Sequence, residues 1–315
     1  MKVTRRSFLK CCGMSFAALG ISGNVLALVE RRLARAGKPM VVWLHGSSCV
    51  GCSVSLLNRI SEAAPYSATE LLTDTVDLVY HQTVMAQAGD PAASVLTRAY
   101  RDGGYVLVLE GGVATAFNGH ACIAYSLNGE EVTFMKAVSD LSSRAAAVVC
   151  VGTCASFGGI PAAGANPTRV VGVGALTGRP VINISGCPAN PDWVVWAVAQ
   201  LIAGAPVDLD EDRRPTALYN RDLSGNPCEA TIHGKCPRNI DVNPNALPEA
   251  TDFGQDGRCL IGLGCRGPST KARCERCWNG IAGQGTWCIG VNAPCHGCTE
   301  KTFPGPQSFY ELYPL

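Results

Sequence analysis

Net charge is the first thing this 315-residue chain lacks: 26 Lys and Arg stand against 25 Asp and Glu. That leaves no basic footprint for nucleic acid and no general attraction to an anionic membrane, so specific partners are expected instead. Long apolar runs are missing from its last part as well. After Cys298 only "TEKTFPGPQSFYELYPL" remains, with nothing like the ~18 apolar residues of a membrane helix, so no membrane span is expected in the mature chain. The last sixty-odd residues, poor in apolar runs and rich in glycine, can bury little. What they hold is cysteine. Seven of the chain's 17, Cys259, Cys265, Cys274, Cys277, Cys288, Cys295 and Cys298, fall within 40 residues. Cross-links, metal ions or metal clusters must replace the missing core there.

The opening residues read as an address. "TRRSFLK", with paired Arg5 and Arg6, precedes an apolar stretch from Cys11 to Val29 and then "LARA". This is the pattern of a twin-arginine export signal over residues 1–36, with cleavage expected after Ala36. The route carries proteins already folded and often already loaded with cofactor. It therefore places the mature chain in the periplasm and anticipates a cofactor inserted before export. The competing reading, a membrane anchor, is disfavoured by the Gly and Ser that interrupt the apolar stretch.

From residue 37 to about 204 five short, β-branched runs recur: "MVVWLHG", "DLVYHQ", "YVLVLEGG", "AAVVCVGT" and "PVINISG". Between them lie helix-spaced segments, "SVSLLNRI", "PAASVLTRAYRDG", "TFMKAVSDL" and "NPDWVVWAVAQLIAG". Such alternation predicts an α/β domain, a flavodoxin-like doubly wound parallel sheet covered on both faces. In such sheets ligands sit beyond the carboxyl ends of the strands. Cys49 and Cys52 follow the first strand, Cys154 the fourth and Cys187 the fifth, so four thiols converge on one end. Four thiolates suit zinc or an iron–sulfur cluster. Structural zinc more commonly takes two close pairs, whereas Cys154 and Cys187 arrive singly. Disulfides would be redundant in a domain that already has a core.

The segments "HGSSCVGCSVSLLN", "YHQTVMA", "VLEGG", "VGTCASFGGIPAA" and "GCPANPDW" resemble, in order, the small electron-transfer subunit of nickel–iron hydrogenases. The resemblance implies that Cys49, Cys52, Cys154 and Cys187 hold a proximal [4Fe–4S] cluster, nearest a nickel–iron centre that lies in a separate large subunit. Oxygen-tolerant members add two cysteines near this cluster where the chain has Gly51 and Gly159. Gln82 replaces the family's usual Glu. Glu110 is read either as an interface carboxylate or as a buried cap for the loop after the third strand, and His45, His81 and His120 as core or surface histidines.

"APVDLDEDRRPT" from Ala205 reads as a connector, and the loop-rich region from 205 to 315 as a second domain. His233 and Cys236, followed by Cys259 and Cys265, form a set that alone suggests zinc. The resemblance instead implies a distal [4Fe–4S] cluster with a histidine ligand, which makes it easier to reduce than an all-thiolate one. It also assigns Cys274, Cys295 and Cys298 to a medial cluster. Many members carry proline where this chain has Cys288. A fourth thiolate there implies a medial [4Fe–4S] cluster, as in nickel–iron–selenium relatives, where three ligands imply [3Fe–4S]. The one-residue-shorter spacing of "CERCWN" leaves Cys277 as a rival to Cys274. Cys122, Cys150 and Cys228 receive no role.

The expectation is therefore an electron-transfer subunit, the small subunit of a hydrogenase, passing electrons through three iron–sulfur clusters to an acceptor such as a c-type cytochrome. It would have no catalytic residue of its own. The rivals are a hydrogen-sensing or ferredoxin-like protein, a subunit like the cluster-bearing one of respiratory complex I, which lacks the second domain, and a disulfide-rich secreted protein.

Overall fold

The computed structural model describes residues 37–60, 66–219, 230–274 and 287–305. The expected signal, Cys228, Cys277, Trp278 and the last ten residues lie outside them. Among the described residues nine strands occur: β1 (Met40–His45), β2 (Asp77–His81), β3 (Val106–Glu110), β4 (Val113–Ala114), β5 (Ile123–Leu127), β6 (Glu130–Thr133), β7 (Ala147–Val151), β8 (Val170–Val171) and β9 (Ile182–Ile184). The helices are α1 (Gly51–Leu57), α2 (Ala68–Glu70), α3 (Gly89–Asp102), α4 (Phe134–Arg144), α5 (Thr153–Phe157) and α6 (Pro191–Ala203). A π-helical turn at Leu71–Thr75 extends α2.

All five expected runs pair in one parallel sheet of order β2-β1-β3-β7-β9. The chain leaves β1 for one edge and returns past it to β3, so the order reverses between β1 and β3, where an α/β sheet opens a crevice. Alternate side chains of each strand enter different cores. Val41, Trp43, Val108 and Val149 pack with Trp193 and Trp196 of α6. Val42, Leu44, Leu107 and Val148 pack with Leu96 of α3 and with Phe134, Val138 and Leu141 of α4. Burial on both faces explains why these strands read as continuous apolar runs.

Local signals set the helix ends. In α6, Pro191 occupies the first turn, the Asn190 side chain accepts from Asp192 N at 2.9 Å, and Gly204 closes the helix in the left-handed conformation. The Thr133 hydroxyl accepts from Lys136 N at 3.1 Å to start α4. One departure from strict β-α alternation is the β5–β6 hairpin, turned by Asn128 and Gly129 at positive φ, the pairing such a turn requires.

Past α6 the described residues contain isolated bridges and 3-10 turns rather than ladders. The small apolar cluster here consists of Ile232, Cys236, Ala250, Leu260, Cys265, Ile289 and Cys295. Three of its members are cysteines, so packing alone is thin, as the composition anticipates. The charged connector is no simple solvated strap. Arg214 within it is 2% exposed, and Leu218 and Tyr219 join the core on one face of the sheet. No described helix is long and apolar enough to cross a membrane.

Candidate metal centres

The first site is built at the crevice. Register places His45 beside Glu110 at the ends of β1 and β3, and the chain then turns through Cys49 and Val50 into α1. Val50 adopts φ 63, unfavourable for a β-branched residue. The turn is held from across the sheet. The buried Glu110 carboxylate accepts from Cys52 N at 3.0 Å, from Ser53 N at 3.1 Å, and from Trp43 Nε1 at 3.1 Å. Ser53 Oγ donates to it at 2.5 Å. A carboxylate at the start of a helix satisfies N–H groups that have no partner within it. Glu110 is thus a buried cap, as in the second of the two readings left open by the sequence, but it caps the helix after β1 rather than the loop after β3.

His81 and His45 complete this network, which sequence reasoning treated only as isolated histidines. His81 Nδ1 accepts from Thr83 N at 3.2 Å, so its other nitrogen carries the proton and donates to Ser53 Oγ at 3.1 Å. His45 Nε2 reaches the same hydroxyl at 3.0 Å. Burial, and secondarily repulsion from His45, pushes the His81 pKa down to about 4. His120 is exposed. Gln82 accepts from His45 N and donates to Ala124 O at 2.9 Å, a neutral bracing role.

Cys154 enters from α5 and Cys187 from the loop after β9. The four thiols feel one another: Cys52 is influenced by Cys154 and Cys187, and Cys49 influences both Cys154 and Cys187. Burial pushes the Cys52 thiol well up, with Glu110 adding to it, and pushes Cys154 up to about 12. Thiolates grouped so closely in a dry crevice need a cationic centre to exist. The backbone makes room for one. A Cβ on Gly152, at φ +88, would lie 2.5 Å from Cys52 Sγ. Gly51 and Gly159 also face the site, since a Cβ would lie 3.0 Å from Cys49 Sγ and 3.1 Å from Cys154 Sγ respectively.

The third site lies in the second region. His233, Cys236, Cys259 and Cys265 line one hollow together with Arg238, Leu260, Gly267 and Ile289. Burial lowers the His233 pKa despite Asp241 and Glu249, leaving a neutral imidazole able to ligate. Backbone N–H groups of the tight turns point at the sulfurs: Ile261 at Cys259, and Gly267 at Cys265. Among the described residues no three His, Cys, Asp or Glu are placed to hold a single metal ion.

Between the two lies the second site. Cys295 is buried, and Cys298 is influenced by both Cys288 and Cys187. Cys274 and Cys298 both act on the ring of Tyr219, and Cys295 acts with Cys298. Cys274, Cys288, Cys295 and Cys298 are therefore neighbours. The residue Cys288 is exposed, yet burial raises its thiol. Cys150, within β7, is a fully buried core residue, and Cys122 is half-buried.

With this geometry in view, likeness to known proteins is specific. Residues 49–201 match the family of the NADH ubiquinone oxidoreductase 20 Kd subunit, and residues 228–311 the C-terminal family of NiFe/NiFeSe hydrogenase small subunits. The chain belongs to the family of nickel–iron hydrogenase small subunits, an oxidoreductase component. It is 36% identical to the periplasmic [NiFeSe] hydrogenase small subunit of Desulfomicrobium baculatum, over 98% of this chain and 99% of that one. It is also 36% identical to the periplasmic [NiFe] hydrogenase small subunit 1 of Nitratidesulfovibrio vulgaris, over 98% and 93%. The [NiFeSe] hydrogenase structure from Desulfovibrio vulgaris Hildenborough superposes with a TM-score of 0.76 at 35% identity, covering 88% of this chain and 99% of that one. The match of the second region is to the hydrogenase family and not to that of the NADH ubiquinone oxidoreductase subunit.

Proposed function

We propose that this chain is the electron-relay subunit of a periplasmic hydrogenase, pairing with a large subunit that holds the nickel–iron centre. The observation that carries the reading is the line of three sulfur-rich sites from the sheet crevice to the His233 hollow. Cys49, Cys52, Cys154 and Cys187 would hold the proximal cluster, Cys274, Cys288, Cys295 and Cys298 the medial one, and His233, Cys236, Cys259 and Cys265 the distal one. When bound, iron–sulfur clusters supply reversible one-electron redox chemistry. The chain's own groups exclude water by burial and aim N–H donors at sulfur, as Ala189 N does at Cys52 Sγ, 3.4 Å away. Such bonds and the neutral His233 ligand shift potentials upward.

A large subunit has a face to occupy beside the first site. Val54, Leu57 and Ile60 on and just after α1 are 51%, 42% and 54% exposed, and Cys49 just before α1 is exposed too. Electrons would leave near His233 to an acceptor such as a c-type cytochrome. The division into a first domain ending near residue 204 and a second beyond it, and export by the twin-arginine route, belong to the same reading.

Iron and sulfide analysis of the assembled complex tests it. About twelve iron atoms per chain, four for each site, with matching sulfide are expected; their absence overturns it. Replacing Arg5 and Arg6 by lysine should leave the assembled protein in the cytoplasm.

A further inference from the structure

The contact between the first and second sites is braced by groups that ligate nothing. The Cys187 N–H faces the Cys298 sulfur. The Cys298 loop is held in that position from several elements. Thr153 Oγ1, at the start of α5, donates to Cys298 O and accepts from Gly186 N at 2.8 Å. Ser185 Oγ donates to Thr299 O at 2.7 Å. Arg214 Nη1 donates to the same carbonyl and to Glu300 Oε2, both at 3.1 Å.

Arg214 is itself fixed. Its Nε donates to Asp210 Oδ2 at 2.8 Å, and its guanidinium lies 5.0 Å from the centre of the Tyr219 ring. Tyr219 donates to Ser185 O at 2.6 Å and meets Trp193 edge-on. A buried ion group is a poor way to gain stability, because apolar residues of the same volume often do as well. What the planar guanidinium fork adds is direction. It fixes where the Thr299 carbonyl stands, and with it the preceding cysteine.

We propose that Arg214, supported by Thr153 and Ser185, is a positioning residue for electron transfer, holding Cys298 where the Cys187 N–H faces its sulfur and the first site meets the second. The route between the two sulfurs is then made of covalent bonds and one close N–H···S approach. Tunnelling decays more gently along bonded atoms than across a van der Waals gap, so a small displacement of this loop slows transfer. One electron passes, with oxidation at the site of Cys187 and reduction at the site of Cys298. No bond is made or broken, and the amide keeps its proton. The inference rests on the ligand assignment above.

The test uses the assembled two-subunit complex carrying Arg214→Met, Arg214→Lys or Thr153→Val. Iron content, the potential of each cluster, the magnetic splitting between the reduced first and second clusters, and the freeze-quenched rate of electron arrival at the second site are measured. At wild-type iron content and first-site potential, Arg214→Met should lose the splitting and slow arrival several-fold. Arg214→Lys should recover part of both, and Thr153→Val should slow arrival to a smaller extent. Unchanged splitting and rate in fully loaded Arg214→Met overturn the proposal. If that variant does not assemble, Thr153→Val decides by the same criterion. Absence of iron from the wild-type complex would instead overturn the ligand assignment.

Discussion

The Cys295 backbone N–H donates to the sulfur of Cys265 at 3.2 Å, on the far side of the second site from the approach of Cys187 to Cys298. The second site is thereby tied to a proposed ligand of each neighbour. A helix or sheet between the sites would have separated these ligands; the loops that replace it allow sulfur and amide to meet directly.

In the proposed ligand set Cys288 decides what the second site holds. Its thiol influences Cys298, so Cys288→Ser should remove one of four thiolate ligands and convert a four-iron cluster to a three-iron one. Electron paramagnetic resonance of the oxidised complex should show a three-iron signal in the variant and none in the wild type. A stoichiometric signal in the wild type would remove Cys288 from the ligand set.

His233→Cys replaces the proposed neutral ligand by an anionic one. The distal potential should fall, because added negative charge disfavours reduction. Redox-poised spectroscopy measures it, and a potential equal to that of the wild type would argue that His233 is not a ligand.

Glu110→Ala should destabilise the first domain by about 1–3 kcal/mol or more, the cost of leaving buried donors without an acceptor. Cys52 N, Ser53 N and Trp43 Nε1 would lose their acceptor. Chemical denaturation checks the figure. A change within about 0.5 kcal/mol, the range of ordinary surface substitutions, would show that the network is dispensable.

Stability should depend on pH through His81. Its folded pKa of about 4 lies below the ordinary value of about 6.5. Between these values the unfolded chain binds the extra proton and the folded one does not. Stability is therefore complete above about pH 6.5 and declines toward pH 4, by up to about 3 kcal/mol. His45 is shifted in the same direction, burial outweighing the attraction of Glu110. His81→Gln should flatten the profile between pH 7 and pH 5. An equal slope in both proteins would place the acid sensitivity elsewhere.

The sequence by itself determined the sheet. Period, β-branching and spacing identified all five parallel strands, because a strand buried on both faces must be apolar throughout. It also marked the cysteines, since no core needs so many in so short a segment, and their motifs named the family. The Asn128–Gly129 turn was equally legible, although the β-α pattern drew attention away from it.

Only the tertiary structure decided how the remaining polar residues are used. Arg214 sits in a charged stretch that reads as solvated, yet folds inward because Asp210, Glu300 and the Thr299 carbonyl converge on it from separate parts of the chain. Glu110 had two equal readings until the register of β1 and β3 placed it under α1. His45 and His81, 36 residues apart, meet at Ser53 only because β1 and β2 pair in parallel. Periodicity records which side chains leave water. It does not record which polar groups meet once they have left, because that depends on contacts between residues distant in the chain.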